Sequence, residues 1–239
     1  MSSSILYVVH NQAWTDCRVA EVLRSRGHTI EFVCPAFGDT LPPVDGYTAL
    51  VIGGSEDGHA ARPDELQWVA DEIAYIREAV DKGVPTYGIC MGAQLLAAAY
   101  DGKIWGRPDE LCELGFYQID ATEAGRDLFE GTSHFYEAHY EGIFRLPDNA
   151  VLLARGNQFP VQAFRIGDHA YGTQFHPDVA LEKLTREFLE NDPYIDFFGA
   201  QSVEEQLRLA AVYEDSIQAW TERFIDTWVG SACSEAEAA

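Results

Sequence analysis

The chain has 239 residues, 47% of them hydrophobic and 12% aromatic, and a formal net charge of −23. That apolar content excludes a wholly disordered chain and suffices for a full core. The excess of 39 acidic over 16 basic residues excludes a general nucleic-acid binder and disfavours an anionic membrane surface.

The elements follow in chain order. Residues 5–9 form a short apolar run, read as a buried strand. Residues 16–26 carry Val19, Val22 and Leu23 at helical spacing and stop at Gly27. An alternating strand follows at 29–33, then a loop at Pro42 and Pro43, then a strand at 47–52 that runs into Gly53, Gly54 and Ser55. A long helix opens near Pro63, with Leu66, Val69, Ile73, Ile76 and Val80 on one face, and ends at Gly83. A strand at 84–89 and a helix at 91–100 complete a β-α-β-β-α-β-α order, which predicts a parallel, doubly wound sheet.

After Gly102 the texture changes to short strands at 103–106, 114–120, 133–138, 150–155, 159–166 and 169–175, divided by turns at Arg107-Pro108, 146–149 and Gly167-Asp168. A helix at 179–189 is broken by Asn191, Asp192 and Pro193. A last helix spans 202–228, and 231–239 reads as a frayed acidic tail. Its Ile217, Trp220, Phe224 and Trp228 at three-to-four spacing predict packing on the core. The two tryptophans would also suit a homo-oligomer interface.

No run of about 18 apolar residues occurs, so no membrane span is expected. The first residues lack the positive segment of a signal peptide, so a cytoplasmic location is expected. Cys17, Cys34, Cys90, Cys112 and Cys233 are odd in number and form no C-x-x-C pair. That speaks against a disulfide framework and a thiolate metal site, and makes a single reactive cysteine worth seeking.

Gly88, Cys90 and Gly92 form G-x-C-x-G at a strand-to-helix junction. Glycines let the backbone turn without a Cβ clash, which would expose Cys90 at the start of a helix, where a thiolate is favoured. The bland alternative is a small buried cysteine, but the glycines and the small-residue helix favour a nucleophile. A thiol needs a base. Of the seven histidines, His176 follows an alternating strand and precedes Pro177 and Asp178. Asp178 could orient the imidazole or simply cap a helix starting at Val179. Both readings stand on residue pattern alone.

The segments 88–97 and 171–178 together resemble the two signatures of class I, triad-type glutamine amidotransferases, and most closely the stand-alone GMP-synthase-like proteins. Residues 161–167 and Ile52, Gly53, Gly54 and Ser55 are similar to that group too. The resemblance implies an α/β fold: a three-layer, flavodoxin-like α/β/α domain over 1–191, with a C-terminal helical extension and acidic tail over 192–239. It implies hydrolysis of the side-chain amide of glutamine, or of a related γ-glutamyl compound, through a cysteine thioester.

Carried over residue by residue, Cys90 is the nucleophile, His176 the base and Asp178 its orienter. The N–H of Met91 and one from Gly54, Ser55 or Glu56 form the oxyanion hole, and Gln94 holds substrate. Ala138, His139, Tyr140 and Glu141 match the loop that gathers the substrate's α-amino and carboxylate groups. Three departures stand out: Asp178 replaces the usual Glu, Ser55-Glu56-Asp57 replaces a proline after the two glycines, and His139-Tyr140-Glu141 replaces His-Gly/Ser-Asp.

No cofactor is implied. Released ammonia would go to a partner synthase, or the protein is a free-standing γ-glutamyl hydrolase or transferase. A catalytically silent binding module on the same fold is the reading from another class, and the Cys90, His176 and Asp178 set speaks against it.

Two weaker motifs remain. The glycines from Gly53 to Gly58 lack the lysine and spacing of a phosphate loop. His134 and His139 with Glu137 and Glu141 are poorly spaced for a metal, so solvated or substrate-loop roles are expected and no metal is.

Overall fold

A computed structural model describes residues 4–56, 59–107, 109 and 111–236, with side chains up to residue 230. Asp57 and Gly58, Pro108 of one expected turn, and the side chains of the acidic tail lie outside the described residues. The strands are β1 (Ser4–Val8), β2 (Thr29–Val33), β3 (Ala49–Ile52), β4 (Thr86–Ile89), β5 (Lys103–Gly106), β6 (Glu113–Ala121), β7 (His134–His139), β8 (Glu141–Arg145), β9 (Ala150–Gly156), β10 (Ala163–Ile166) and β11 (Ala170–Thr173). The helices are α1 (Arg18–Ser25), α2 (Gln67–Asp81), α3 (Met91–Ala98), α4 (Arg186–Glu190) and α5 (Val203–Ala236).

Nine strands form one sheet in the order β2-β1-β3-β4-β11-β10-β9-β6-β7, and β5 pairs with β8 separately. The first five in that order are parallel, as the β-α-β pattern predicts. From β11 onward the pairs are antiparallel, so the strands after Gly102 lengthen the same sheet with reversed hand-offs.

The apolar pattern of β1 explains the layering. Ile5 and Tyr7 join α1 and α5 in one core, while Leu6 and Val8 join α2 and α3 in the other. A strand that buries both faces needs helices on both, and a three-layer α/β/α arrangement results. The last helix is part of that packing. Trp220, Phe224 and Trp228 are each at most 1% exposed, and the rings of Phe224 and Trp228 lie 4.5 and 5.7 Å from that of Tyr87 on β4.

Four elements differ from the sequence expectation. The last helix does not stop at 228 but runs on to Ala236, through most of the stretch expected to fray. The helix expected at 179–189 is broken: Ala180 is extended, Leu181–Lys183 makes one 3-10 turn, and α4 starts only where Thr185 accepts the Phe188 N–H at 3.2 Å. The strand expected at 159–166 shortens to β10, because Pro160 cannot donate to a ladder. β8 is not anticipated by the residue pattern. Its Gly142 leaves the room that the ring of Phe159 fills, since a Cβ there would lie 2.4 Å from Phe159 Cδ1, and a glycine weakens any strand signal.

Truncating the best-buried of these side chains, by Trp220→Ala, should cost about 3–5 kcal/mol. Urea unfolding checks this, and an unchanged midpoint would mean that α5 adds nothing to the core.

Candidate active site

The turn from β4 to α3 is made by one residue. Cys90 has φ 51° and ψ −108°, a region that costs a non-glycine residue on the order of 1–3 kcal/mol. Neighbouring glycines let the two elements close around it. A Cβ on Gly88 would lie 2.5 Å from the Gly92 carbonyl carbon, and one on Gly92 would lie 2.1 Å from the Ile52 carbonyl oxygen of β3. The Cys90 N–H donates to Thr173 O of β11 at 2.8 Å, which anchors the turn to the next strand. Met91 opens α3, so its N–H belongs to the first turn, where no helical acceptor exists.

His176 arrives just past β11. Its N–H donates to Tyr136 O at 2.8 Å, and its Nδ1 lies 3.1 Å from Asp178 Oδ1. With Ala180 extended, Asp178 does not cap a helix starting at Val179, so only the orienting contact remains of the two readings. Burial alone would depress the imidazole of His176. The adjoining Cys90 and Asp178 outweigh it, through charge and hydrogen bonds, and hold the group well above its ordinary value.

The turn is braced from below. The fully buried Arg18 of α1 donates to Pro177 O at 2.9 Å and to both carboxylate oxygens of Glu214, on α5, at 2.6 Å.

The loop after β3 closes the site. A Cβ on Gly54 would lie 2.9 Å from His176 Cε1 and 3.4 Å from Cys90 Cβ, so only glycine fits there. Ser55 and Glu56 continue the loop along the cavity wall, with Glu56 exposed. The Cys90 Sγ lies 3.9 Å from Ala138 O and 3.7 Å from Gln174 Nε2. Gln94 is buried, and its Nε2 donates to Glu141 O at 2.9 Å and to Gln174 Oε1 at 3.2 Å. Tyr140 packs its ring against Tyr194, and its hydroxyl lies 2.8 Å from His59 Nδ1. Glu141 pairs with the same His59 at 3.4 Å.

Cys90, His176, Asp178, Gln94, Tyr140 and Glu141 border one cavity of about 530 Å³, together with the loop of Gly54, Ser55 and Glu56. It continues past Cys90 to Trp14, Phe188 and Tyr194. Its described lining includes the carboxylates of Glu56, Glu141, Asp178, Glu187 and Asp192 and no lysine or arginine.

A cluster that residue spacing does not assemble reaches the cavity wall through His139. His139, Glu113 and Glu137 are each at most 5% exposed, and His139 Nε2 lies 3.2 Å from both carboxylates. The solvated roles expected for Glu137 and His139 are therefore corrected: period-2 alternation on β7 turns both inward, against β6. The three come within 4.8 Å of one another, close enough for a cation. His139 Nδ1 donates to Glu141 O at 2.8 Å, and a charged imidazole itself supplies the positive partner. Burial alone would lower His139, but contact with Glu113 and Glu137 pushes it up to about 10. Burial likewise holds Glu137 above the usual carboxylate range. Gln174 is a further site residue that the motifs leave out, although it stands two residues before His176 in the second signature.

Cys90, His176 and Asp178 thus meet at one cavity of an α/β fold. The family model "Glutamine amidotransferase class-I" matches residues 17–194, and the chain belongs to that family. Among curated proteins it is 31% identical over 167 residues to the GMP synthase [glutamine-hydrolyzing] of Aeropyrum pernix, covering 69% of this chain and 30% of that protein. It is 35% identical over 112 residues to one subunit of the GMP synthase [glutamine-hydrolyzing] of Pyrococcus abyssi, covering 45% of this chain and 58% of that one. The chain thus matches less than two thirds of the length of either relative. A glutamine amidotransferase from Thermotoga maritima shares the fold at TM-score 0.83 and 19% identity, covering 96% of this chain and 99% of that one. One from Methylobacillus flagellatus does so at 0.82 and 24%, covering 96% and 94%. No helix among the described residues is long and apolar enough to cross a membrane.

The buried cluster gives a pH prediction. His139 is raised from 6.5 to about 10, so its proton stabilises the fold fully below pH 6.5 and that contribution is lost as pH rises through 10. The melting temperature should therefore fall across this interval, and His139→Gln should flatten the slope. Parallel slopes for the two proteins would show that His139 is not the group.

Proposed function

We propose that the chain hydrolyses the side-chain amide of glutamine, or of a related γ-glutamyl compound, through a thioester on Cys90. The observation that carries this reading is the strained Cys90 turn set against His176, itself oriented by Asp178, at the wall of a cavity of about 530 Å³.

The Cys90 thiol gives its proton to His176 as its sulfur attacks the amide carbon, and the tetrahedral oxyanion forms against backbone N–H groups. One belongs to Met91, at the helix start. The other comes from the loop of Gly54, Ser55 and Glu56, and Gly54 is the best placed. Its N–H has no hydrogen-bond partner among the described residues, and its Cα faces Cys90.

His176 in its charged form gives its proton to the departing nitrogen, so the C–N bond breaks and ammonia leaves a γ-glutamyl thioester. Water then attacks the thioester carbonyl while His176 takes its proton, and glutamate and the free thiol result. Gln94 holds Glu141 by its backbone carbonyl, and Ala138, His139, Tyr140 and Glu141 form the wall that receives the amino-acid end of the substrate. No metal or cofactor enters these steps.

Ammonia delivery to a separate synthase chain is supported by the likeness to a protein that is one subunit of a GMP synthase. A free-standing γ-glutamyl hydrolase is favoured by the cavity, which runs beyond Cys90 to Trp14 and Phe188 and leaves room for a larger leaving amine.

Incubating the isolated chain with glutamine and with γ-glutamyl amides, and reading glutamate and amine release, separates the two. Weak turnover of glutamine alone supports the partner-dependent reading, and full turnover of a larger amide supports the hydrolase. Cys90→Ala should abolish release and the thioester seen by mass spectrometry while leaving the melting temperature close to native. Asp178→Asn should lower kcat by about 10²–10⁴-fold, as expected when an orienting carboxylate is lost. An unchanged rate would reduce Asp178 to a structural residue.

A further inference from the structure

His10 stands two residues past the end of β1 and is 4% exposed. Its Nδ1 lies 2.8 Å from Gly54 O. A carbonyl oxygen only accepts, so Nδ1 carries a proton and donates. Its Nε2 lies 3.0 and 3.1 Å from the two oxygens of Glu72, which is fully buried on α2. Trp68, on the preceding turn of α2, packs on the imidazole with ring centroids 5.1 Å apart. The Gly53 N–H is held as well, by Val8 O at 2.9 Å. The peptide between Gly53 and Gly54 is thus pinned on both flanks, and the N–H it presents is the Gly54 N–H described above. Two successive glycines rotate with little steric cost, so nothing intrinsic to that loop keeps the N–H aimed at the site.

We propose that His10, held by Glu72, is a positioning residue that fixes the Gly53–Gly54 peptide as an oxyanion donor, an inference that rests on the function proposed above. His10 acts through Gly54 and not on Cys90. Removing it frees the glycine loop to turn its N–H away, which weakens the transition state and leaves ground-state binding intact. One oxyanion donor is commonly worth about 10²–10³ in kcat, which sets the scale of the loss.

Deleting His10 alone leaves Glu72 buried without its partner, which threatens the fold. The informative variant is therefore the double replacement His10→Phe with Glu72→Leu. It is compared with His10→Asn in the same Glu72→Leu background, where the amide N–H can still reach Gly54 O and no buried carboxylate is left without a partner. For the His10→Phe double variant we expect kcat for amide hydrolysis to fall about 10²-fold, with KM near native. Alkylation of Cys90 by iodoacetamide should run at the native rate, because that displacement forms no oxyanion. The His10→Asn double variant should recover most of kcat.

Native kcat in the His10→Phe double variant would overturn the proposal. So would equal loss of iodoacetamide reactivity, which would mean general damage to the nucleophile, or failure of the His10→Asn double variant to do better than the His10→Phe one. A native protein that releases no amine from any γ-glutamyl amide would overturn the functional reading itself, and this proposal with it.

Discussion

Cys90 turns the chain from strand to helix in a backbone conformation that its side chain disfavours, and much of the surrounding sequence serves to hold it there. The glycines at 88 and 92 are small because β4, α3 and β3 meet with no space for a Cβ. Thr173 holds the turn from the neighbouring strand through its carbonyl oxygen. Strain of this kind persists only where the surroundings over-determine it. Here they do so from three strands and a helix, and the sulfur is left facing the cavity.

The same logic extends to the other partners. His176 and Asp178 lie beyond β11, whose place beside β4 is set by the parallel part of the sheet. Their turn is then fixed by Arg18, which spans from α1 to Glu214 on α5. An ion pair buried on its Arg18 side only is weak evidence for net stability, but its geometry is directional. In this molecule it makes the last helix, whose apolar spacing already predicts packing on the core, a structural support of the histidine turn as well.

What is legible in the sequence is what local spacing encodes. The parallel half of the sheet follows from β-α alternation. Cys90 is marked by its glycines, and His176 with Asp178 by a short motif after a strand. The rest depends on contacts between distant segments. Glu113 and Glu137 meet His139 only because β6 and β7 pair in one register. His10 and Glu72 are 62 positions apart and meet across a helix–sheet interface. The break in the helix expected at 179–189 follows from the extended backbone through Ala180 and the cap at Thr185, a competition that side-chain periodicity does not register. β8 escapes such a reading because Gly142 serves by its lack of a side chain, to admit Phe159.

The cavity sets five carboxylates against two charged imidazoles, His139 and His176, with no lysine or arginine in its described lining, and the negative excess has a consequence for the direction of traffic through it. Glutamine is a zwitterion with no net charge, so a negative field neither draws it in nor holds it off. Glutamate carries one negative charge more, and the same field acts on it as soon as the thioester is cleaved. On the proposed chemistry the wall is therefore indifferent to the reactant and repulsive to the product. The resulting outward bias would keep accumulated glutamate from occupying the site, and it would be screened by salt to the extent that the rim is exposed.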